Sequence, residues 1–431
     1  MNRLFVTLFG FVNFYILIRT LSKEDFGAWV LFLSVASLME LIKHGFVRNP
    51  LIRFLALSPK EEGPVIQTAS FFLNMVVGVL EVFVLLLCSV YLSDFWNAPQ
   101  LGPLFRIYAI STALLIPVNH FDVIQQANLN FKGTFMSNFT RHLGLFLFVV
   151  LTFALDVSIS LTYLAYAQMT AIGISVFVSF LFARKYVRFS RWVDPRWFRE
   201  LRSYGFFTFG TNVSSMINKS IDSWMIGKLI SPAAVAIFNP AIRISNLVEV
   251  PTETLTSIFF PKLSERIAKS GAATATELYE KAVGAITAFM IPVVLFFITF
   301  AGPVVYFVAG PGFEDTVPIL QITMLYGLMI PFNRFMGITL DALGKAKINF
   351  LFVVRNASIN VVSNFIFINQ FGVIGAAYGT LTSYVIVSLL NLYYLKRHLK
   401  VSLGNIARNI FAFYPRVYNS GVKVLRGTAS A

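Results

Sequence analysis

Four basic side chains lie inside long apolar stretches of this sequence, where a charge is difficult to accommodate. They are Arg106, Lys219, Arg243 and Arg334. A charged side chain at the centre of a lipid bilayer costs about 2.5–3.5 kcal/mol on insertion scales, so such residues usually face a cavity or a partner. A cationic group in a hydrated cavity suits an anionic ligand. These residues therefore predict a site for a headgroup such as a phosphate.

Polar residues recur at helical spacing around these cations, which places them on common helix faces. The stretch 204–227 carries Thr208, Thr211, Ser215, Lys219 and Asp222. The stretch 233–258 carries Asn239, Arg243, Asn246 and Glu253. The stretch 349–368 carries Asn356, Asn360 and Asn364. Polar stripes on several helices predict a hydrated interior, and we expect its substrate-binding residues to be Lys219, Asp222, Arg243, Arg334 and Asn360.

Two carboxylates are candidates for exchanging a coupling ion. Glu81 shares one face of the stretch 68–92 with Ser70 and Asn74 and falls close to mid-membrane. Asp222 follows Lys219 by three residues.

Structural roles are open for each of these groups. Asparagine stripes often serve only as interhelical hydrogen bonds, worth about 0.6 kcal/mol each in membranes. Arg106 can extend toward a headgroup, as basic residues near helix ends do. Lys219, Asp222 and Arg243 can form an internally neutralised structural set, and Glu81 can be a structural hydrogen-bonding group.

The elements that position these residues follow from composition. Of the 431 residues, 57% are hydrophobic and 13% are charged, whereas about a quarter are charged in an ordinary soluble domain. A bilayer core needs roughly 20 apolar residues per helix. About twelve such spans occur, near 4–19, 27–42, 68–92, 101–121, 136–155, 159–183, 204–227, 233–258, 282–308, 317–340, 349–368 and 373–395. We expect an all-α polytopic membrane protein, with the first span retained rather than cleaved.

The positive charges are placed asymmetrically between the spans. Four of the 35 lysines and arginines lie in spans, and the connections of one side hold only Arg19, Lys23 and Lys228. The other 28 fall in the remaining connections and the termini, where Arg141 and Arg355 are counted because each lies at the entry to a span. Cytoplasmic connections carry such an excess of Lys and Arg. We therefore expect a protein of the bacterial inner membrane with both termini on the cytoplasmic side.

A short repeat divides the spans six and six. The run Ile116–Phe121 (IPVNHF) recurs as Ile330–Phe335 (IPFNRF), and the same offset brings Arg141 onto Arg355. Because six spans separate the copies, they should share one orientation and be related by a pseudo-two-fold axis along the membrane normal, with substrate between the halves. We expect a six-helix lobe at 1–183, a basic cytoplasmic loop at 184–203, a second six-helix lobe at 204–398 and a basic cytoplasmic tail at 399–431. The tail reads equally as an interfacial helix on anionic lipid or as a frayed end.

Catalytic signatures are missing from the sequence. No Walker A loop, Gly-x-Ser-x-Gly elbow or His-Glu-x-x-His motif occurs. The four histidines lack metal-ligand spacing, and Cys88 is the single cysteine. We expect neither a metal, a cofactor nor an enzyme activity.

Several segments resemble the oligosaccharide flippases of the multidrug/oligosaccharidyl-lipid/polysaccharide exporter superfamily. They are the loop Ile18–Gly27 (IRTLSKEDFG), the run from Ile221-Asp222 to Asn239-Pro240-Ala241, the turn Asp341–Lys345 (DALGK) and the run Gly372–Ala377 (GVIGAA). The resemblance covers about residues 10–395. It implies a two-lobed, twelve-helix fold that flips undecaprenyl-diphosphate-linked sugar repeats outward by alternating access, with a cationic cavity at Lys219 and Arg243. Relatives usually have a longer first helix, so the N-terminus looks truncated.

The leading hypothesis is a flippase for lipid-linked oligosaccharide in surface polysaccharide and lipopolysaccharide O-antigen assembly, coupled to H⁺ or Na⁺. Its expected partners are the lipid-linked substrate, the bilayer, a polysaccharide polymerase and chain-length proteins, and not nucleic acid. A multidrug and toxin extrusion antiporter is the alternative within transport, although its cationic drugs would favour acidic sites. A membrane-embedded glycosyltransferase, polymerase or acyltransferase is the alternative in another class, and it would need a catalytic motif in a sizeable loop.

Overall fold

The chain folds into α-helices connected by short turns. The computed structural model describes residues 2–270 and 273–425, without the side chains of 2–4, 207, 208, 210–215, 217, 218, 257, 258, 268, 273, 346 and 416–425. In the first half the helices are α1 (Asn2–Thr20), α2 (Lys23–Lys43), α3 (Asn49–Leu57), α4 (Gly63–Phe95), α5 (Leu101–Ala127), α6 (Phe131–Ala154), α7 (Leu161–Ala183) and α8 (Pro195–Leu229). In the second half they are α9 (Pro232–Ser270), α10 (Ala273–Thr299), α11 (Ala301–Ala309), α12 (Thr316–Gly327), α13 (Ile330–Ala342), α14 (Ala346–Phe371), α15 (Val373–Leu399) and α16 (Leu403–Leu425).

Ten helical stretches within the described residues are long and apolar enough to cross a membrane. They are Lys23–Leu57, Lys60–Phe95, Leu101–Ala127, Phe131–Ala154, Leu161–Ala183, Pro232–Ile267, Thr274–Thr299, Thr316–Ala342, Lys347–Phe371 and Val373–Leu399. Phe5–Thr20 is apolar but shorter, and α8, which covers the expected span 204–227, is not among the ten. The prediction of a polytopic all-α membrane protein is confirmed, while the count of twelve spans stays a prediction.

The second span is much longer than the expected 27–42. The side chain of Ser22 caps α2 by accepting a hydrogen bond from the amide of Asp25 at 3.1 Å. From Lys43 the chain continues through one π-helical turn, His44–Arg48, into α3, which has Pro50 in its first turn. The sequence placed the end of this span at residue 42 because basic residues follow it. Hydropathy alone does not show that these basic residues continue the same helical stretch.

The basic connection after α7 is shorter than the expected 184–203. The helix α8 begins at Pro195, because the carboxylate of Asp194 accepts a hydrogen bond from the amide of Arg196 at 2.7 Å and proline suits the first turn. Arg196, Arg199 and Arg202 are therefore helical residues rather than loop residues.

The two copies of the repeated motif differ in backbone. The first lies within α5, which continues through Pro117. At the second copy the helix is interrupted after Gly327 and restarts at Ile330, with Pro331 in the first turn of α13. A proline is tolerated in that turn because its missing amide has no intrahelical partner there.

The chain forms two compact units, 1–236 and 237–431. In the first unit α8 contacts α2 and the end of α4: the indole nitrogen of Trp224 donates to the hydroxyl of Ser34 at 2.6 Å, and that of Trp96 donates to the carbonyl of Trp224 at 3.1 Å. One apolar core cluster of this unit surrounds Leu51, Ile66, Ile124 and Leu201. The lobe boundaries given by the sequence stay a prediction.

Candidate functional site

A buried ion pair joins α2 to α4 in the first unit. The ammonium of Lys43 lies 3.1 Å from a carboxylate oxygen of Glu81, and the two side chains are 2% and 5% exposed. Lys43 also donates a hydrogen bond to the backbone carbonyl of Thr112 in α5 at 3.0 Å. Among the described residues neither oxygen of Glu81 has a hydrogen bond of its own, so the ammonium is what compensates this carboxylate.

The polar face of α4 that the sequence indicated is turned inward. Ser70, Asn74 and Glu81 are all buried, which confirms the expectation that they share one face. The amide of Asn74 donates to the carbonyl of Ile116 in α5 at 2.8 Å. The sequence did not single out Lys43, which it placed in a basic connection.

A second acid–base pair lies one turn earlier on α2. Two nitrogens of the Arg141 guanidinium, from α6, donate to the two carboxylate oxygens of Glu40 at 3.2 and 3.4 Å. This two-point geometry is the one in which arginine binds carboxylates most specifically. Arg141 and Glu40, together with His142 and Gln168, border one small cavity of the first unit.

A polar cluster connects α5, α6 and α7. The carboxylate of Asp122 accepts hydrogen bonds from the hydroxyl of Ser179 at 2.6 Å and from that of Ser137 at 3.3 Å. The amide of Gln125 donates to the same Ser179 hydroxyl at 3.3 Å. Beside this cluster, Arg48 donates twice to the side-chain oxygen of Gln126, at 2.9 and 3.2 Å.

A second cavity, of about 170 Å³, lies beside Asp122, Arg48 and Gln126. Its charged lining consists of Lys43, Arg48, Arg141 and Asp122. One water molecule takes about 30 Å³ of the liquid, so the cavity has room for a few waters or a small ion but not for an oligosaccharide. The cavity is lined by three cations and one carboxylate and lies within the first unit.

The predicted residues of α8 differ in exposure. Lys219 is exposed and Asp222 is partly buried. The other members of that stripe, Thr208, Thr211 and Ser215, lie outside the described side chains.

In the second unit the two predicted arginines have different partners. The guanidinium of Arg243 is partly buried and donates to the side-chain oxygen of Asn239, one turn earlier on α9, at 3.1 Å. Arg334, on α13, donates to Glu253 at 2.9 Å and lies 3.7 Å from Glu249. Two carboxylates thus neutralise Arg334, and the side chain of Asn239 is one of the groups that contact Arg243.

Asn360 takes part in an interhelical hydrogen-bond network. Its amide donates to the hydroxyl of Thr380 on α15 at 3.3 Å, and Asn364 donates to Asn360 at 3.2 Å. The same two helices are joined by Arg355 and Asn391, and Asn391 donates in turn to Asn333 on α13 at 2.7 Å. This is the packing role that the sequence left open for the asparagine stripe.

The arginines that the repeat aligns make different contacts. Arg141 pairs with the carboxylate of Glu40, whereas Arg355 contacts the side-chain amides of Asn356 and Asn391. At this pair of aligned positions the first unit has a partly buried ion pair, whereas the second has contacts to side-chain amides. Among the described residues no group of three histidine, cysteine, aspartate or glutamate side chains could hold a metal ion.

Comparison with curated proteins gives distant but extended matches. An uncharacterized membrane protein, MJ1068, of Methanocaldococcus jannaschii is 24% identical over 244 residues, which are 55% of this chain and 47% of that protein. The lipopolysaccharide biosynthesis protein WzxC of Escherichia coli K12 is 20% identical over 386 residues, 89% of this chain and 75% of that protein. The match thus spans about half of the first relative's length and three quarters of the second's.

A solved structure shows the same fold. The inward closed conformation of the lipid II flippase MurJ superposes with a TM-score of 0.79 at 14% sequence identity, covering 100% of this chain and 93% of that one. At that identity the likeness establishes the fold alone. Residues 16–318, more than half of the chain, match the family of polysaccharide biosynthesis proteins. Taken with its membrane-spanning helices and buried charged groups, this match establishes that the chain belongs to the polysaccharide biosynthesis protein family.

Proposed function

We propose that this protein is a flippase for lipid-linked oligosaccharides. It moves undecaprenyl-diphosphate-linked repeat units from the cytoplasmic to the outer leaflet, for the assembly of surface polysaccharide or lipopolysaccharide. Family membership is the observation that carries the proposal. A relative named for lipopolysaccharide biosynthesis and a fold like that of a lipid II flippase support it.

The diphosphate of the substrate binds to cationic side chains. Lys219 and Arg243 are the main ligands, because the resemblance of the sequence to the oligosaccharide flippases assigns the cationic cavity to these two residues, and Lys219 is exposed. Arg334 contributes when it leaves Glu249 and Glu253, which now neutralise it. Asp222 and Asn360 complete the site as hydrogen-bonding groups.

The coupling ion is exchanged at a carboxylate, and Glu81 is the stronger of the two candidates. Its charge is compensated across 3.1 Å by Lys43 in a buried setting, so protonation would weaken this link between α2 and α4. Lys43 also lines the charged cavity of about 170 Å³, so the partner of Glu81 borders a polar space of the first unit. Asp222 is the second candidate.

The protein works in a bacterial inner membrane with both termini in the cytoplasm, as the distribution of positive charges favours. A polysaccharide polymerase and chain-length proteins would receive the translocated unit. Transport, rather than bond-making chemistry, is the activity that this family membership supports.

The test removes the two cations separately. In a strain that lacks its own flippase, Lys219→Ala and Arg243→Ala are each expected to weaken substrate binding about 10- to 100-fold, since a hydrogen bond to a charged group is worth about 1.5–3 kcal/mol. Surface glycan, measured by gel electrophoresis and lectin binding, should fall accordingly. Membrane insertion, measured by fractionation, should be unchanged.

Arg106→Ala is the matched control, because it also removes one cation from a membrane-spanning helix. Arg106 is exposed and contacts the carbonyl of Gly102 on its own helix, so surface glycan should stay at the parental level. Parental glycan in the Lys219→Ala/Arg243→Ala double variant would defeat the assignment of the site.

The alternative functions are separated by other assays. A multidrug and toxin extrusion antiporter would raise drug resistance in a host without pumps, and it would not restore surface glycan. A glycosyltransferase or polymerase would transfer sugar as a purified protein.

A further inference from the structure

A basic segment, residues 184–202, follows directly on the membrane-spanning helix α7. It contains seven positively charged side chains, and all of them are exposed. They are Arg184, Lys185, Arg188, Arg191, Arg196, Arg199 and Arg202. Its two acidic residues are Asp194 and Glu200, and Asp194 is engaged in capping α8. The segment therefore presents a strongly positive surface.

The first part of the basic segment is fixed against α4 by its backbone. The buried amide of Gln67 donates to the carbonyl of Tyr186 at 3.3 Å and accepts from the amide of Arg188 at 2.9 Å. The hydroxyl of Thr68 then accepts from the amide of Ser190 at 2.8 Å. These contacts use the backbone and leave the charged side chains outward, so the array of cations is held in place rather than trailing in solution.

Aromatic residues complete the surface. The ring of Phe189 stacks on that of His120, with centroids 5.8 Å apart and an interplanar angle of 11°. Trp192 is 80% exposed in the midst of the cations. An exposed tryptophan among arginines close to the end of a membrane span has the composition of a membrane–water interface, where tryptophan and basic residues are enriched.

We propose that the basic segment binds the anionic headgroups of phospholipids in the membrane around the protein, with Trp192 inserted at headgroup level. Clusters of basic residues next to membrane spans attract anionic lipids by about 1 kcal/mol for each Lys or Arg near the surface. The segment begins at the residue after α7, so its cations lie within reach of the headgroups. This inference is independent of the transported substrate.

The experiment measures which lipid touches position 192. The variant Trp192→Cys/Cys88→Ser has one cysteine, at position 192, and this cysteine is labelled with a fluorophore. The labelled protein is placed in nanodiscs that contain equal fractions of phosphatidylglycerol and phosphatidylcholine. In one sample only the anionic lipid is brominated, and in the other only the zwitterionic lipid. We expect the brominated anionic lipid to quench about fivefold more strongly, the factor that corresponds to about 1 kcal/mol. The preference should fall in high salt, which screens exposed charges.

Charge removal provides the matched comparison. Arg188→Gln/Arg191→Gln/Arg199→Gln should reduce the preference toward unity. The control triple variant removes the same charge from exposed positions on α9: Lys262→Gln, Arg266→Gln and Lys269→Gln. It should keep the parental preference.

Equal quenching by the two brominated lipids, or a preference that does not respond to salt, would overturn the proposal. Equal loss of preference in both triple variants would also overturn it, because the effect would then follow net charge alone. If the first triple variant fails to fold, the preference and salt response of the labelled parent still decide the matter.

Discussion

The buried pair between Lys43 and Glu81 should show strong energetic coupling. At 3.1 Å two unit charges attract by about 5 kcal/mol at an effective dielectric constant of about 20. In the intact protein the cost of desolvating the two charges offsets much of this attraction. A variant that keeps only one partner still bears the desolvation cost of the remaining buried charge, without the attraction. We therefore expect Lys43→Met to lower the free energy of unfolding by about 3–5 kcal/mol.

Glu81→Gln should have the smaller effect, about 1.5–3 kcal/mol, the range for hydrogen bonds to charged groups. The effect is smaller because Lys43 keeps its hydrogen bond to the backbone carbonyl of Thr112 at 3.0 Å. In the double variant Lys43→Met/Glu81→Gln no charge is left without a partner. Its loss of stability should fall short of the sum of the single losses by at least about 2 kcal/mol, within the range observed for contacting residues.

The assay is reversible unfolding of the purified protein in mixed micelles by titration with dodecyl sulfate, followed by circular dichroism. The matched control is the exposed pair Lys269 and Glu265, which are 2.6 Å apart with side chains 71% and 61% exposed. Exposed pairs contribute little because water screens them, so the same cycle there should show little coupling. Additive losses at Lys43 and Glu81, with a coupling energy below about 0.5 kcal/mol, would refute the argument.

Further predictions concern close packing and the C-terminal helix. In Gly133→Ala the new methyl group would lie 1.6 Å from the side-chain oxygen of buried Gln125, which should cost about 1–3 kcal/mol of stability by overpacking in the same unfolding assay. Gly10→Ala, with nothing within 4 Å of its methyl position, is the control and should stabilise the helix by about 0.5–1 kcal/mol; an equal effect of both changes would contradict the packing argument. Glu280→Ala should release α16 from α10, because this carboxylate accepts from the amide of Ser402 at 2.6 Å and from Asn405 at 2.9 Å. Limited trypsin digestion within 400–408 should then be faster, whereas an unchanged rate would show that other contacts hold the helix.

Hydropathy and charge were sufficient to predict the class of fold. Ten of the twelve predicted spans overlap helical stretches that are long and apolar enough to cross a membrane. The predicted end of the sixth span at residue 183 coincides with the end of α7. The inward face of α4 could also be predicted from the sequence, because helical periodicity alone places Ser70, Asn74 and Glu81 on one face.

The partners of the buried charges could not be found in this way. Lys43 and Arg141 were counted with the basic connections, yet each is paired with a carboxylate inside the first unit. A scan along the sequence treats each charge as a solvated group, and it cannot register a partner 38 or 101 positions away. The pairing of Arg334 with Glu253 and Glu249 could not be predicted for the same reason.

The Lys43–Glu81 contact also constrains how the chain is made. During synthesis α2 leaves the ribosome before α4, so Lys43 enters the translocon without its acid. A lysine near the centre of a helix opposes insertion by about 2.5–3.5 kcal/mol, and Glu40 and Arg48 add charges to the same helical stretch. We therefore expect α2 to insert stably only together with α4, with the two helices passing into the lipid as a hairpin.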